Sequence, residues 1–279
     1  MIIRCWGARG SIPVSGREYL RYGGDTTCVE VRSKNGDIII IDAGSGIRRL
    51  GQRLIAERHQ EITLILTHAH WDHVMGFPFF KPLYFKTTRM NIYGCPNTRK
   101  STKDMLAGIM APPHFPVHVD DVRAQIDFHE FTNTRFSVNS VTIDRILLSH
   151  PNQGVGYRLT EEGKSFVFLT DNELTYRHKG GHDYNAYLDF SRNADLLVHD
   201  AEYTETDYRK TKAWGHSVYK DALRLALEAN ARRFGLFHHN QDRPDRGIDR
   251  MVQACHRIIA GQNRVIECFA VRQDMEISL

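Results

Sequence analysis

Short apolar runs separated by glycine-bearing turns open the chain, and MIIRCW, TTCVEVR and DIIIID, the last two divided by KNG, read as strands. The repeat then changes. In SGIRRLGQRLIAERH the apolar residues Ile47, Leu50, Leu54 and Ile55 recur at helical spacing, which predicts a helix over 45–59 with Ser45 as its cap. EITLIL returns to strand, HVMGFPFFKPLYF reads as a short helix and an aromatic loop, and RMNIYG is again a strand. KSTKDMLAGIM has helical character and stops at APPHFP, where successive prolines remove amides and restrict the preceding backbone.

Strands fill the middle: AQIDFHE, TRFSV, SVTIDRILL, GVGYRLT and KSFVFLT. Helix and strand then alternate, with a helix near DYNAYLDFSRN, a strand DLLVHD, a helix SVYKDALRLALEAN, a strand RRFGLFHH, a helix GIDRMVQACHRIIAG and a last strand RVIECFA. Two groups of strands, each with helices to cover one face, predict an α/β fold: an αββα sandwich of two mixed β-sheets flanked by helices, in one domain over 1–279. A doubly wound parallel sheet fits less well, because the turns between strands in 126–169 are too short for helical crossovers.

Composition narrows the class. With 279 residues, 41% of them hydrophobic, the chain can bury a full core, and it contains no repeat or low-complexity tract. MIIRCWGARG lacks the basic and apolar regions of a secretory signal, and no apolar run approaches the ~18 residues of a membrane span. Cys5, Cys28, Cys95, Cys255 and Cys268 are widely spaced without a CxxC pair, as expected of buried free thiols in a reducing cytoplasm. The formal net charge of +4 favours an anionic substrate focused in a cleft, whereas Arg48, Arg49, Arg232 and Arg233 are scattered and read as a solvated face rather than a nucleic-acid stripe.

The candidate chemistry lies in THAHWDH, residues 67–73, directly after an apolar strand. His68, His70 and His73 would serve equally in a satisfied polar turn if nothing else joined them. Alternation puts His68 and His70 on one face, able to converge on a cation, while Asp72 and His73 lie just beyond, aimed at a second. Three further strands end in polar groups: Leu148-Ser149-His150, Phe168-Leu169-Thr170-Asp171 and Leu236-Phe237-His238-His239. Each alone is a common strand ending; together they argue for one shared edge.

THAHWDH resembles the HxHxDH signature of metallo-β-lactamase-fold hydrolases, and DIIIIDAGSG is similar to that family's strand and glycine turn. The resemblance implies two divalent metal ions, zinc first, with manganese or iron also permitted by the mixed nitrogen and oxygen donors. It assigns His68, His70 and His150 to one metal, Asp72, His73 and His238 to the other, and Asp171 to the bridge. His238 and His239 compete for one role. Matching LILTH to GLFHH favours His238, leaving His239 as a neighbour or as a surface histidine beside DRPDR. In the family arrangement Asp42 orients a ligand histidine; from the residues alone it would equally satisfy amides of the AGSG turn, which Gly44 and Gly46 make tight. A phosphate-binding loop is a poor reading, since GxxxxGK[ST] is absent.

WGHS, residues 214–217, resembles an element of the phosphodiesterase branch, which includes transfer-RNA 3′-processing nucleases and small cyclic-phosphate phosphodiesterases. That likeness implies that His216 faces the phosphate, stabilising a nonbridging oxygen or protonating the leaving alkoxide, with Asp200 of HDAEYTETDY to orient it. The local alternative makes Ser217 an N-cap that His216 merely precedes. WGARGSIPVSG and RYGGDTTC look like substrate-side loops of the branch, with Gly7, Gly10, Gly23 and Gly24 permitting close backbone approach and amides near Asp25 and Thr26 shaping the pocket. Phe77, Phe79, Phe80, His114 and Phe115 read either as a lid or base-stacking wall or as core.

A metal pair would lower the pKa of bound water, supply hydroxide and neutralise charge on a phosphoryl or carbonyl centre, with Asp72 also accepting a hydrogen bond from the hydroxide. Nucleases of the branch carry a long basic arm between the positions of His150 and Asp171, but only 20 residues intervene here. The expected substrate is therefore a small or cyclic nucleotide phosphodiester, ahead of RNA 3′ processing, lactone or thioester hydrolysis, and a noncatalytic metal-binding role. A homodimer follows from the branch, with no interface readable in the sequence.

Overall fold

The computed structural model describes residues 1–94, 101–131, 133–262 and 264–279. Its strands are β1 (Ile2–Gly7), β2 (Cys28–Arg32), β3 (Ile38–Ile41), β4 (Glu61–Ile65), β5 (Arg89–Tyr93), β6 (Gln125–His129), β7 (Arg135–Val138), β8 (Val141–Leu148), β9 (Gly154–Glu161), β10 (Lys164–Leu169), β11 (Leu196–Asp200), β12 (Arg233–Phe237), β13 (Glu267–Ala270) and β14 (Glu276–Ser278). Its helices are α1 (Ile47–Ala56), α2 (Trp71–Val74), α3 (Thr102–Ile109), α4 (Tyr184–Ser191), α5 (Glu205–Thr211), α6 (Tyr219–Glu228) and α7 (Asp245–Ala260). Short 3₁₀ turns at Phe77–Phe79 and Lys81–Tyr84 continue the aromatic loop after α2.

Two 7-stranded sheets form, in the orders β14-β1-β2-β3-β4-β5-β6 and β13-β12-β11-β10-β9-β8-β7. Both are mixed. The runs β3 to β6 and β10 to β13 are parallel, while β14-β1-β2-β3 and β7-β8-β9-β10 are antiparallel. Helices make most of the parallel crossovers, and tight turns join the antiparallel meander, as the connection lengths require. β6 departs from the expected meander: it pairs in parallel with β5, so the chain changes sheets between β6 and β7.

Continuous apolar runs make strands with two buried faces, which is what a sheet covered by helices on one side and by another sheet on the other demands. In β3, Ile39 and Ile41 enter the core between the sheets, while Ile38 and Ile40 pack in the outer layer with Leu50 and Leu54 of α1. In β12, Phe237 faces the intersheet core and Phe234 and Leu236 pack in the layer of Leu223 from α6 and Ile248 from α7. Each fully buried side chain of this size contributes about 1.5–3 kcal/mol.

Several local expectations change. Ser45 does not cap α1. Gly46 holds that position, while the Ser45 hydroxyl accepts from the Thr26 amide at 3.0 Å and donates to Asp25 at 2.8 Å. Val218, not Ser217, is the N-cap of α6; Ser217 accepts from the Leu174 amide at 3.1 Å and donates to the Asn172 carbonyl at 2.5 Å. Phe77 and Phe80 are wholly buried core residues and form no lid, whereas exposed Phe79 meets Phe115 edge-on at 5.5 Å. HDAEYTETDY extends beyond β11 into α5, which opens with a capping box between Thr204 and Asp207. Cys5, Cys28, Cys255 and Cys268 are buried free thiols; Cys95 lies outside the described residues. Among the described residues no helix is long and apolar enough to cross a membrane.

Candidate metal centre

β4, β8, β10 and β12 all end at one edge of the sandwich, and the segments leaving them carry His68, His150, Asp171 and His238. The short α2, with His70 at its N-cap, turns the chain so that Asp72 and His73 follow at the same edge. Donor atoms of His68, His70 and His150 form one group and those of Asp72, His73, Asp171 and His238 another, each within 4.8 Å among themselves. The Asp171 carboxylate faces both groups. Its Oδ1 lies 3.7 Å from His68 Nε2, 3.8 Å from His150 Nε2 and 3.3 Å from His238 Nε2, and its Oδ2 lies 3.2 Å from His73 Nε2.

Outer partners decide which ring nitrogen points inward. Nδ1 of His73 meets Asp42 at 2.7 Å, Nδ1 of His150 meets the Gly215 carbonyl at 2.9 Å, and Nδ1 of His238 meets Glu202 at 2.9 Å, so each Nε2 is left for the centre. Thr67 Oγ1 lies 3.0 Å from His68 Nδ1 and also donates to Asp42 at 2.7 Å. His70 differs, presenting Nδ1 to His150 Nε2 at 3.1 Å. Asp42 therefore orients His73, and the amide it accepts belongs to Thr67 (2.7 Å) rather than to the AGSG turn. The left-handed backbone there is at Asp42 itself, φ 64°. Gly44 is needed for space: a Cβ would stand 2.3 Å from the Asp72 carbonyl. Asp171 and His238 share the left-handed conformation, at φ 53° and 57°, strain of the kind that persists where surrounding structure dictates it.

His68 Nε2 and His73 Nε2 are buried with no hydrogen-bond partner, a cost of about 1–3 kcal/mol each if nothing else met them. Inward nitrogens, flanking carboxylates and orphaned donor atoms fit divalent cations. The charges without metal agree. Burial opposes the charged form of Asp171, but His238, His73 and His68 outweigh it and hold the carboxyl well below its usual range; Asp72 is lowered likewise, chiefly through His73 and His238. The same carboxylates lift His73 and His238 well above an ordinary histidine despite burial. Burial lowers His68, and brings His150 to about 3, leaving neutral rings.

His216 stands beside both groups, stacked on His238 at 4.7 Å and edge-on to His150 at 5.2 Å. Its Nδ1 contacts Asp200 at 2.6 Å and lies 3.4 Å from Glu202. Burial would strip its proton, yet Glu202 and Asp200 raise it to about 9. Glu202 escaped the sequence reading although HDAE places Asp200 and Glu202 at alternate positions of an extended segment, the spacing that sends two side chains to one side. The amide of Ser11, which donates to Asp72 at 2.9 Å, was also missed; Gly10, read as a position of close approach, admits the His238 ring where a Cβ would lie 2.3 Å away. Asp25 and Thr26 contact Ser45 rather than the clustered donors.

His239 turns elsewhere. Its Nε2 donates to the Val271 carbonyl at 2.7 Å and its ring meets Tyr22 edge-on. His238→Ala is expected to lose one metal per chain while His239→Ala keeps both, measured by elemental analysis after reconstitution. Gly10→Ala should weaken metal binding by about 10–100-fold by displacing the His238 ring, which titration calorimetry checks.

A fold of two helix-covered mixed sheets with this paired histidine and aspartate edge defines the metallo-β-lactamase-fold metal-dependent hydrolases, which use divalent metal ions. Residues 38–239 match the model of the beta-lactamase superfamily domain, and the chain belongs to that family. It is 24% identical over 253 residues to a ribonuclease Z of Haloferax volcanii, covering 74% of this chain and 76% of that protein. The metallo-β-lactamase-fold protein YhfI of Bacillus subtilis superposes with a TM-score of 0.72 at 18% identity, covering 99% of this chain and 98% of the other. A diphosphatase of the PhnP family superposes with a TM-score of 0.70 at 17% identity, covering 100% and 97%.

Proposed function

We propose that the protein is a phosphodiesterase acting on a small or cyclic nucleotide phosphodiester. The observation that carries this reading is His216: an imidazole whose Nδ1 is fixed by Asp200, stacked on His238 at the edge of the clustered donors. His68, His70 and His150 would hold one metal, Asp72, His73 and His238 the other, and Asp171 both. When bound, such a pair lowers the pKa of water and neutralises developing negative charge on the phosphoryl centre. The chain's own groups do the rest. Asp200 and Glu202 keep the proton on His216, whose Nε2 delivers it to the departing oxygen; Asp72, steadied by the Ser11 amide, accepts a hydrogen bond from the attacking water.

Zinc is the metal proposed first, and the 1–279 chain is proposed to act as one domain and to pair as a homodimer, which sedimentation measures. Residues between His150 and Asp171 are occupied by the β9–β10 hairpin, an economy that favours a small substrate. RNA 3′ processing is the second reading, favoured by the likeness to ribonuclease Z. One panel separates them, offering the zinc-loaded protein bis(p-nitrophenyl) phosphate, 2′,3′- and 3′,5′-cyclic nucleotides, precursor transfer RNA, a β-lactam, a lactone and a thioester. Cyclic nucleotide turnover is expected, with His216→Ala lowering kcat by roughly 10²–10⁴-fold at unchanged metal content. Cleavage confined to precursor RNA would favour the second reading; turnover of the lactone or thioester alone would overturn both.

A further inference from the structure

Of the chain's 3 tryptophans, Trp6 is buried and hydrogen-bonded to Glu30, but Trp71 and Trp214 are 64% and 62% exposed. A lone exposed apolar residue is ordinary. These two stand out by position. Trp71 lies between His70 and Asp72, and Trp214 immediately precedes Gly215 and His216. Both neighbours touch one ring: His150 Nε2 is 3.1 Å from His70 Nδ1, and His150 Nδ1 bonds the Gly215 carbonyl at 2.9 Å. The two tryptophan-bearing segments therefore flank His150, one from each sheet's side of the site.

The Trp214 segment is held rigidly. Buried Glu173 accepts from the amides on either side of Trp214, those of Ala213 and Gly215, each at 2.8 Å, and also from Tyr208 and His178. Ala213 and Gly215 are both left-handed, at φ 68° and 96°, and a Cβ on Gly215 would lie 2.2 Å from His150 Nδ1. This backbone keeps His216 inward while Trp214 stays in solvent. Just before it, Arg209, Lys210 and Lys212 are exposed and make no ion pair with any described carboxylate. A rigid aromatic face with uncompensated cations beside it suits a flat, π-rich group attached to an anion.

Resting on the phosphodiesterase reading, we infer that Trp71 and Trp214 form an aromatic rim that stacks the base of a nucleotide substrate and so sets preference for nucleoside over alkyl phosphodiesters. The occupant is a nucleobase, and Glu173 is a positioning residue that presents Trp214.

The test compares p-nitrophenyl thymidine 5′-phosphate with methyl p-nitrophenyl phosphate, which share a leaving group, on zinc-loaded protein. The ratio of their kcat/KM values should fall about tenfold in Trp71→Ala and in Trp214→Ala, and recover largely in the Phe variants, with metal content measured on each. A ratio unchanged within about twofold in both Ala variants overturns the inference. If the wild type cleaves neither ester, the phosphodiesterase reading fails separately, and adenosine monophosphate binding by calorimetry decides the rim. Binding weakened about tenfold by Ala and kept by Phe supports it; no binding, or equal binding by all forms, overturns it.

Discussion

Asp171→Asn will lower turnover by about three orders of magnitude or more, corresponding to several kcal/mol of lost charge stabilisation, and will weaken binding of both metals together. Asp171 faces His68 and His150 on one side and His73 and His238 on the other, so replacing one of its oxygens by an amide nitrogen removes a donor from one group and weakens the anion seen by both. The substitution is nearly isosteric, and loss of activity with an unchanged circular dichroism spectrum separates chemistry from folding. Loss of one metal with the other bound at wild-type affinity would show that Asp171 serves a single ion.

Metal removal should lower the melting temperature by on the order of 10 °C or more, since each site saturated at ~100–1,000 times its Kd adds about 2.7–4.1 kcal/mol and each kcal/mol moves a chain of this size by roughly 2–4 °C. The loss is expected to grow with pH. In the metal-free protein His73 and His238 have raised pKa values, so the stability they confer is full below the unfolded histidine value of about 6.5 and disappears as pH rises through their folded values. Asp72 and Asp171 are lowered, so their contribution is present above about 3.9 and disappears as pH falls through their folded values. Burial keeps His68 and His150 neutral while the unfolded chain takes up protons on them below about pH 6.5, so stability falls on the acid side as well and the metal-free form is most stable near pH 6.5. Metal must displace the protons on His73 and His238, so the gap between loaded and stripped protein widens from pH 5.5 to 8. Calorimetric scans with and without chelator measure it; a gap that narrows with pH would contradict the protonation pattern.

The strands were legible because burial on both faces writes them as unbroken apolar runs, as in β3 and β10, and the clustered donors because each follows such a run. β14 was not. Its three residues, Glu276–Ser278, form an edge strand whose stability comes from pairing with β1 at the far end of the chain. Capping by Ser45 and Ser217 was a sound local inference overridden by tertiary partners, the loops at 25–26 and 172–174. The AGSG turn drew attention to glycine, whereas the unusual backbone belongs to Asp42, whose carboxylate is tied to both Thr67 and His73. Glu173 and Glu202 escaped for a related reason: their roles are defined by amides and rings contributed by distant segments, 213–215 and 238–240, which even the alternate spacing of Asp200 and Glu202 does not reveal.

We propose that one sheet edge holds two metals, with Asp171 shared between them. Anomalous diffraction at the metal edges, on crystals of the reconstituted protein, tests it most directly. Two peaks are expected, one among His68, His70 and His150 and one among Asp72, His73 and His238, with Asp171 between them. No peak after reconstitution, or a single peak away from these side chains, would contradict it.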